Sequence, residues 1–282
     1  MNETRALLMM SVLTATAAGA SPLLAYRTTA DLSTPDPKAR LWDSVPAEKV
    51  QLMAQPMVVP RPEVTKTTQV SVQALHDGKR LALRLRWRDA DKSEAGRLGE
   101  FSDAAAVQFP VADKQVPPPV MMGMKGDPVH IFHWRAQYQR DAERGKPQVK
   151  DLYPNASPDM YPMEFVDPGT TVTDEAAREK FSPGRAVGNP QSYPKNGVDE
   201  ILAEGFSTSA VQEGHQSQAK ATWENGEWTL VITRPLAIEG GSTVKVGAGT
   251  YVGFAVWQGG QGEVGSRKAV TMVWTPFEVS DK

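Results

Sequence analysis

Two stretches of the chain gather side chains that could hold a metal or a cofactor. PPPVMMGMKGDPVHIFHW, residues 117–134, carries Met121, Met122 and Met124 in a Pro/Gly-rich loop that runs straight into an alternating segment. VWQGGQGEVGSRKAVTMVW, residues 256–274, carries Arg267 and Lys268 at the end of a glycine-rich loop. A thioether is a soft ligand, and an amine becomes a nitrogen ligand once it has lost its proton. Each residue also has an ordinary reading, since methionine fills irregular gaps at the edge of a core and a loop lysine is solvated.

Other chemistries find less support. Cysteine is absent, which excludes disulfides, thiolate metal sites, iron–sulfur ligation and covalent haem attachment through C-x-x-C-H. The four histidines are His76, His130, His133 and His215. His76 belongs to a hairpin turn and reads as solvated. His130 and His133 are three positions apart, which on a strand points them to opposite faces, so they form no paired metal site and stand only as reserve ligands. There is no Gly-x-Ser-x-Gly nucleophile elbow, and the glycines before Lys268 lack the spacing of a phosphate-binding loop and lie between strands. Paired carboxylates stay open, because their pairing is spatial, and the chain reads more as a binder or carrier than as a catalyst.

The elements that must position these groups are strands. Val70, Val72 and Ala74 alternate before Asp77-Gly78, and Leu81, Leu83, Leu85 and Trp87 alternate after it, which predicts a β-hairpin. Asn225-Gly226 predicts a second, between Trp223 and Trp228. Shorter strands are expected at 105–109, 129–134, 243–246, 251–257 and 268–274. Together they predict an all-β fold, an immunoglobulin-like or carbohydrate-binding-module-like β-sandwich with long loops and little helix. Residues 137–218 lack sustained apolar runs and read as a long loop excursion with one helical turn near 174–180.

The 282 residues carry a formal net charge of -2, so no basic excess points to nucleic acid. Residues 6–26 hold no charge, and Ala18-Gly-Ala20 fits a small-residue cleavage site. Residues 1–26 therefore read as a signal peptide or, if retained, an N-terminal membrane anchor, and the protein as exported. Residues 27–66 are proline-rich and read as an extended lead-in, with the β-sandwich over 67–282.

The two loop segments, with DGKRLALRLRWRDAD, SDAAAVQFP, GRAVGNP, AEGFST and WENGEWTLVITRPL, occur in an order that resembles the haem b-binding gamma subunits of the type II dimethyl sulfoxide reductase family. That group includes ethylbenzene dehydrogenase, dimethyl sulfide dehydrogenase, selenate reductase and chlorate reductase, and the similarity spans roughly residues 40–279. The resemblance implies one non-covalent haem b with methionine and lysine axial ligands. Carried onto this sequence, it implies Met122 and Lys268 as ligands of the haem iron. Gly123 follows the ligand, Met121 and Met124 are the fallback thioethers, and Arg267 is available to a haem propionate. It implies two loops clamping the haem at one end of the sandwich. It also implies a heterotrimer with a molybdenum catalytic subunit and an iron–sulfur subunit, exchanging electrons with a soluble cytochrome or another redox carrier. The competing reading, from the tryptophan-bearing hairpins, is an exported carbohydrate-binding or adhesive module without a redox role. A lysine ligand must be neutral; from its ordinary pKa of about 10.4, deprotonation near pH 7 costs roughly 4–5 kcal/mol, which burial and the iron bond must offset.

Overall fold

The computed structural model describes residues 21–57, 59, 64–147, 149–155, 183–189, 197–214 and 216–281. Both predicted hairpins form. Strand β4 (Gln69–His76) turns at Asp77-Gly78 into β5 (Arg80–Arg88), and β10 (Gln218–Glu224) turns at Asn225-Gly226 into β11 (Glu227–Pro235). Asn225 and Gly226 have φ of 52° and 73°, the positive pair that a tight hairpin turn of matching twist requires. β11 pairs with β5 over its whole length and joins the two hairpins into a four-stranded unit.

The remaining strands complete two layers. The first runs β10-β11-β5-β4-β1-β14 and ends on the amino-terminal half of β12, where β1 is Leu23–Arg27, β14 is Thr275–Val279 and β12 is Gly249–Trp257. The carboxy-terminal half of β12 leaves β14 and pairs with β6 (Ala104–Pro110). From there the second layer continues through β7 (Val129–Arg135), β8 (Val198–Ala203) and β9 (Ala210–Val211). Three short strands finish the edges: β2 (Glu48–Gln51) on β4, β13 (Ala269–Val270) on β12, and β3 (Met53–Ala54) on β13.

The layers face each other. Trp87 of β5 and Trp134 of β7 have five strands between them in the sheet order yet have ring centroids 6.1 Å apart, and Trp134 meets Trp228 of β11 edge-on at 5.1 Å. Phe109 of β6 meets Phe277 of β14 at 5.8 Å. Such contacts across a sheet order exist only when the sheet folds over on itself, so the fold is the all-β sandwich expected. The side chains between the layers are the inward half of each alternation: Leu81, Leu83, Leu85, Val107, Phe132 and Val256, all buried. Of the hairpin tryptophans, Trp87 and Trp228 are 2 % exposed and belong to this core, and Trp223 is half-buried against it.

Several expectations change. His76 is buried in β4, with Nε2 2.6 Å from the Ser280 carbonyl, and burial lowers its pKa. Leu23–Tyr26 lies in β1, flanked in parallel by β4 and β14, and residues 1–20 lie outside the described residues. The lead-in is structural, because Leu32, Trp42 and Val45 cover Leu75, Ala82 and Val231 on the outer face of the first layer. The excursion contains helix α1 (Ala136–Arg144) and strand β8, while the helical turn near 174–180 lies outside the described residues. Residues 243–246 make one bridge, Ala237 to Thr243, and the strand expected at 268–274 is only β13.

One buried carboxylate ties the layers together at the start of β6. Asp103 accepts hydrogen bonds from the Ser93 amide (2.7 Å), the Gly259 amide (2.8 Å) and Trp228 Nε1 (3.0 Å). Asp89, also buried, lies against it. Burial first, and then the Asp103 charge, pushes Asp89 up to about 8; burial also raises Asp103. The pair therefore shares a proton, which accounts for an Asp89 Oδ2 with no other partner.

Two predictions follow from the packing and the pair. Trp134→Ala removes the ring that touches both other tryptophans and is expected to cost about 3–5 kcal/mol in denaturant unfolding. The acid pair binds a proton in the native state that the unfolded chain releases above about pH 4, so stability falls as pH rises from about 4 to about 8. Asp89→Asn supplies a permanent amide donor to Asp103, and thermal melts at about pH 5 and about pH 8 should show a flatter pH dependence and a higher midpoint at the alkaline end. An unchanged pH slope would exclude the shared proton.

Candidate functional site

The outward half of the same alternation builds a cavity. Inward Ala105, Val107 and Phe109 enter the core, and outward Ala104, Ala106 and Gln108 face away from it. The register sets Ala104 beside Trp257, Ala106 beside Ala255 and Gln108 beside Gly253. On the other side it sets Ala106 beside His133 and Gln108 beside Ile131. Four of these side chains are alanine or glycine, so the middle of the second layer is a flat, low floor with bulk at its edges. Above it lies a cavity of about 670 Å³, within the roughly 300–1,000 Å³ of small-molecule and cofactor sites. It lies on the outer face of the second layer, and not at one end of the sandwich as expected.

The methionine loop forms one wall, with Val120, Met121 and Met122 lining the cavity. Gln108 donates from the floor to the Val120 carbonyl, and Trp274 Nε1 donates to the Pro118 carbonyl at 2.6 Å, so the loop is held at two points. Met122 and Gly123 both have left-handed φ, 69° and 72°. For a methionine that conformation is uncommon and persists only where the surroundings impose it. Here the Met122 carbonyl accepts from the Gly205 amide at 2.8 Å. A Cβ on Gly123 would come within 2.8 Å of the Asp127 carbonyl oxygen and 3.1 Å of that of Ala203, so only glycine fits.

Lys268 forms the opposite wall. Val270 pairs with Ala255 and Ala269 with Val256, so Lys268, two residues before Val270, returns to the cavity face beside Trp257. Its Nζ lies 4.8 Å from the Trp257 ring centroid. Burial alone lowers the amine to about 8, which removes most of the cost of a neutral lysine at pH 7. The preceding loop is braced by Glu263, which accepts from the Gln258 amide (2.9 Å) and Thr65 Oγ1 (2.9 Å), and by Trp257 Nε1 donating to Gly265.

The structure thus brings Met121, Met122 and Lys268 onto one cavity. It leaves Met124, 51 % exposed, and the exposed Arg267 off the cavity lining, and Gly123 acts through the loop's shape. The two strand histidines separate as their spacing predicts. His130 turns into the core, where its Nδ1 accepts from the Ser242 amide (3.1 Å) and burial lowers its pKa to about 4. His133 turns into the cavity wall and stacks on Trp257, with centroids 4.8 Å apart. His215 lies outside the described residues. Sequence reasoning missed Arg135, Trp257 and Phe206 of the lining; the alternation of β7 and β12 carried a signal for the first two, since they share the faces of His133 and Ala255.

The sequence profile of the ethylbenzene dehydrogenase family matches residues 39–269. Among curated proteins, a protein of Haloferax mediterranei described as a respiratory nitrate reductase heme subunit is 28 % identical over 239 residues, which cover 83 % of this chain. This chain spans 65 % of that relative's length. The chlorate reductase subunit gamma of Ideonella dechloratans is 26 % identical, over 84 % of this chain and 77 % of that one. The dimethylsulfide dehydrogenase subunit gamma of Rhodovulum sulfidophilum is 27 % identical, over 86 % and 75 %.

Proposed function

The chain belongs to the ethylbenzene dehydrogenase family, and from that membership we propose that it is an electron-transfer subunit carrying one non-covalent haem b. In this reading it relays electrons between the iron–sulfur subunit of a periplasmic molybdenum oxidoreductase and an external redox carrier, and substrate chemistry belongs to the molybdenum subunit. The named relatives are a heme subunit and two gamma subunits, which supports the reading.

The observation that carries it is the meeting of a thioether wall and an amine wall over a floor of alanine and glycine. The donor set fits a haem: Met122 and Lys268 would hold the iron, with Met121 beside them, and the low floor accepts a flat ring. When bound, the group supplies reversible one-electron transfer at iron, at a potential that a methionine ligand raises. The protein's own part is to hold the loops, exclude water and keep the lysine neutral. Arg135 lines the cavity whereas Arg267 is exposed, so we assign the propionate contact to Arg135 in place of Arg267.

The test is spectroscopic. Protein purified from a haem-competent host is expected to show a Soret band and the low-spin spectrum of six-coordinate iron. Met122→Ala should abolish the thioether-to-iron charge-transfer band, and Lys268→Ala should change the nitrogen-ligand signature in near-infrared magnetic circular dichroism. Each should lower haem affinity about tenfold or more, a loss of ~1.4 kcal/mol. Unchanged signatures in both variants would overturn the ligand pair, and a protein that neither carries nor takes up haem would overturn the function.

A further inference from the structure

The cavity holds a second nitrogen donor that the haem reading leaves without a task. His133 Nε2 is buried and has no hydrogen-bond partner. Leaving a buried polar group unsatisfied costs about 1–3 kcal/mol, so such a group calls for an explanation. His133 reaches Trp257 because only Ala104 and Ala106 stand between their strands on that face. The indole therefore carries the His133 ring stacked at 4.8 Å and the Lys268 amine 4.8 Å from its centroid. Two nitrogen donors, from β7 and from the edge of β13, converge on one aromatic side chain at the wall opposite the methionine loop.

Building on the haem reading, we propose that His133 is a reserve nitrogen ligand of the haem iron, which takes the axial position when Lys268 is absent. A neutral imidazole binds iron through a ring nitrogen without first losing a proton. Burial first, and then the charge of Arg135, favour the neutral ring. No bond other than the iron–nitrogen bond is made or broken, and the iron keeps its oxidation state.

Haem-loaded Lys268→Leu, which keeps an apolar stem in the wall, is the variant to examine. We expect it to remain low-spin, with near-infrared magnetic circular dichroism and electron paramagnetic resonance changed from an amine–thioether to an imidazole–thioether signature. Adding His133→Phe, which preserves a ring against Trp257, should convert the double variant to high-spin and weaken haem binding by a further tenfold or so, ~1.4 kcal/mol. His133→Phe alone should keep the amine–thioether signature, and its circular dichroism spectrum and melt would establish that the sandwich is intact. A Lys268→Leu protein that is high-spin or haem-free, or a double variant that stays low-spin, would overturn the proposal. These outcomes are separable from failure of the haem reading, which would appear as the absence of haem from the parent protein.

Discussion

The pairing of β6 with β12 is the constraint on which the rest depends. Both strands alternate, and each is read on two faces at once. Inward, Ala105, Val107, Phe109, Val252, Phe254 and Val256 close the core against the first layer. Outward, Ala104, Ala106, Gly253 and Ala255 leave a low platform. A slip of one residue in this register would exchange the faces, driving Phe109 into the cavity and small side chains into the core. Pairing on both flanks opposes that slip: β7 aligns on the free side of β6, and β14 and then β13 hold successive parts of β12. Asp103, one residue before β6, fixes the end of the strand by accepting from three donors on separate segments.

The loops above the platform are specific because they are tied back to it. The Val120 carbonyl takes a hydrogen bond from a floor residue, and the Pro118 carbonyl takes one from Trp274 near β14. The left-handed pair Met122-Gly123 then folds the loop so that two thioethers reach the cavity while Met124 is turned out to solvent. Backbone strain at a non-glycine residue costs of order 1–3 kcal/mol and is tolerated where surrounding contacts over-determine it. Three methionines in a row of four positions thus have two fates, decided by backbone torsion and not by residue type.

What could be read from the sequence is what local chemistry decides. Asp77-Gly78 and Asn225-Gly226 dictate turns by their φ preferences, and the alternations beside them dictate strands, so both hairpins and the all-β class were legible. The opposite faces of His130 and His133 follow from the same period of two. Which face met the core was not legible, because it depends on β8, and β8 escaped notice: VDEILA carries Asp199 and Glu200, which are buried polar residues with partners and not the outward polar half of a strand. β1 was hidden for a related reason, since LLAYR continues an uncharged run and its parallel pairing is wholly non-local. At the site, Met122 and Lys268 stood out only through resemblance to a family. The alanine floor was written plainly in SDAAAVQFP, yet small side chains on a strand carry no signal until the register shows what lies beside them.

Placing the cavity on the outer face separates two tasks that compete in folds with a cofactor inside. The space between the layers is filled by Trp87, Trp134, Trp228, Phe109 and Phe132, and the cavity lies outside that packed space. Anything the cavity holds adds stability by mass action, in the manner of RT ln(1 + [L]/Kd). The loops, and not the core, must then supply its exclusion from water, which is why they are braced by Glu263, Gln108 and Trp274. In the proposed electron-transfer role the same placement would keep a redox group near the protein surface, where a partner could approach its edge, and its surroundings could be tuned through loop residues without repacking the sandwich beneath.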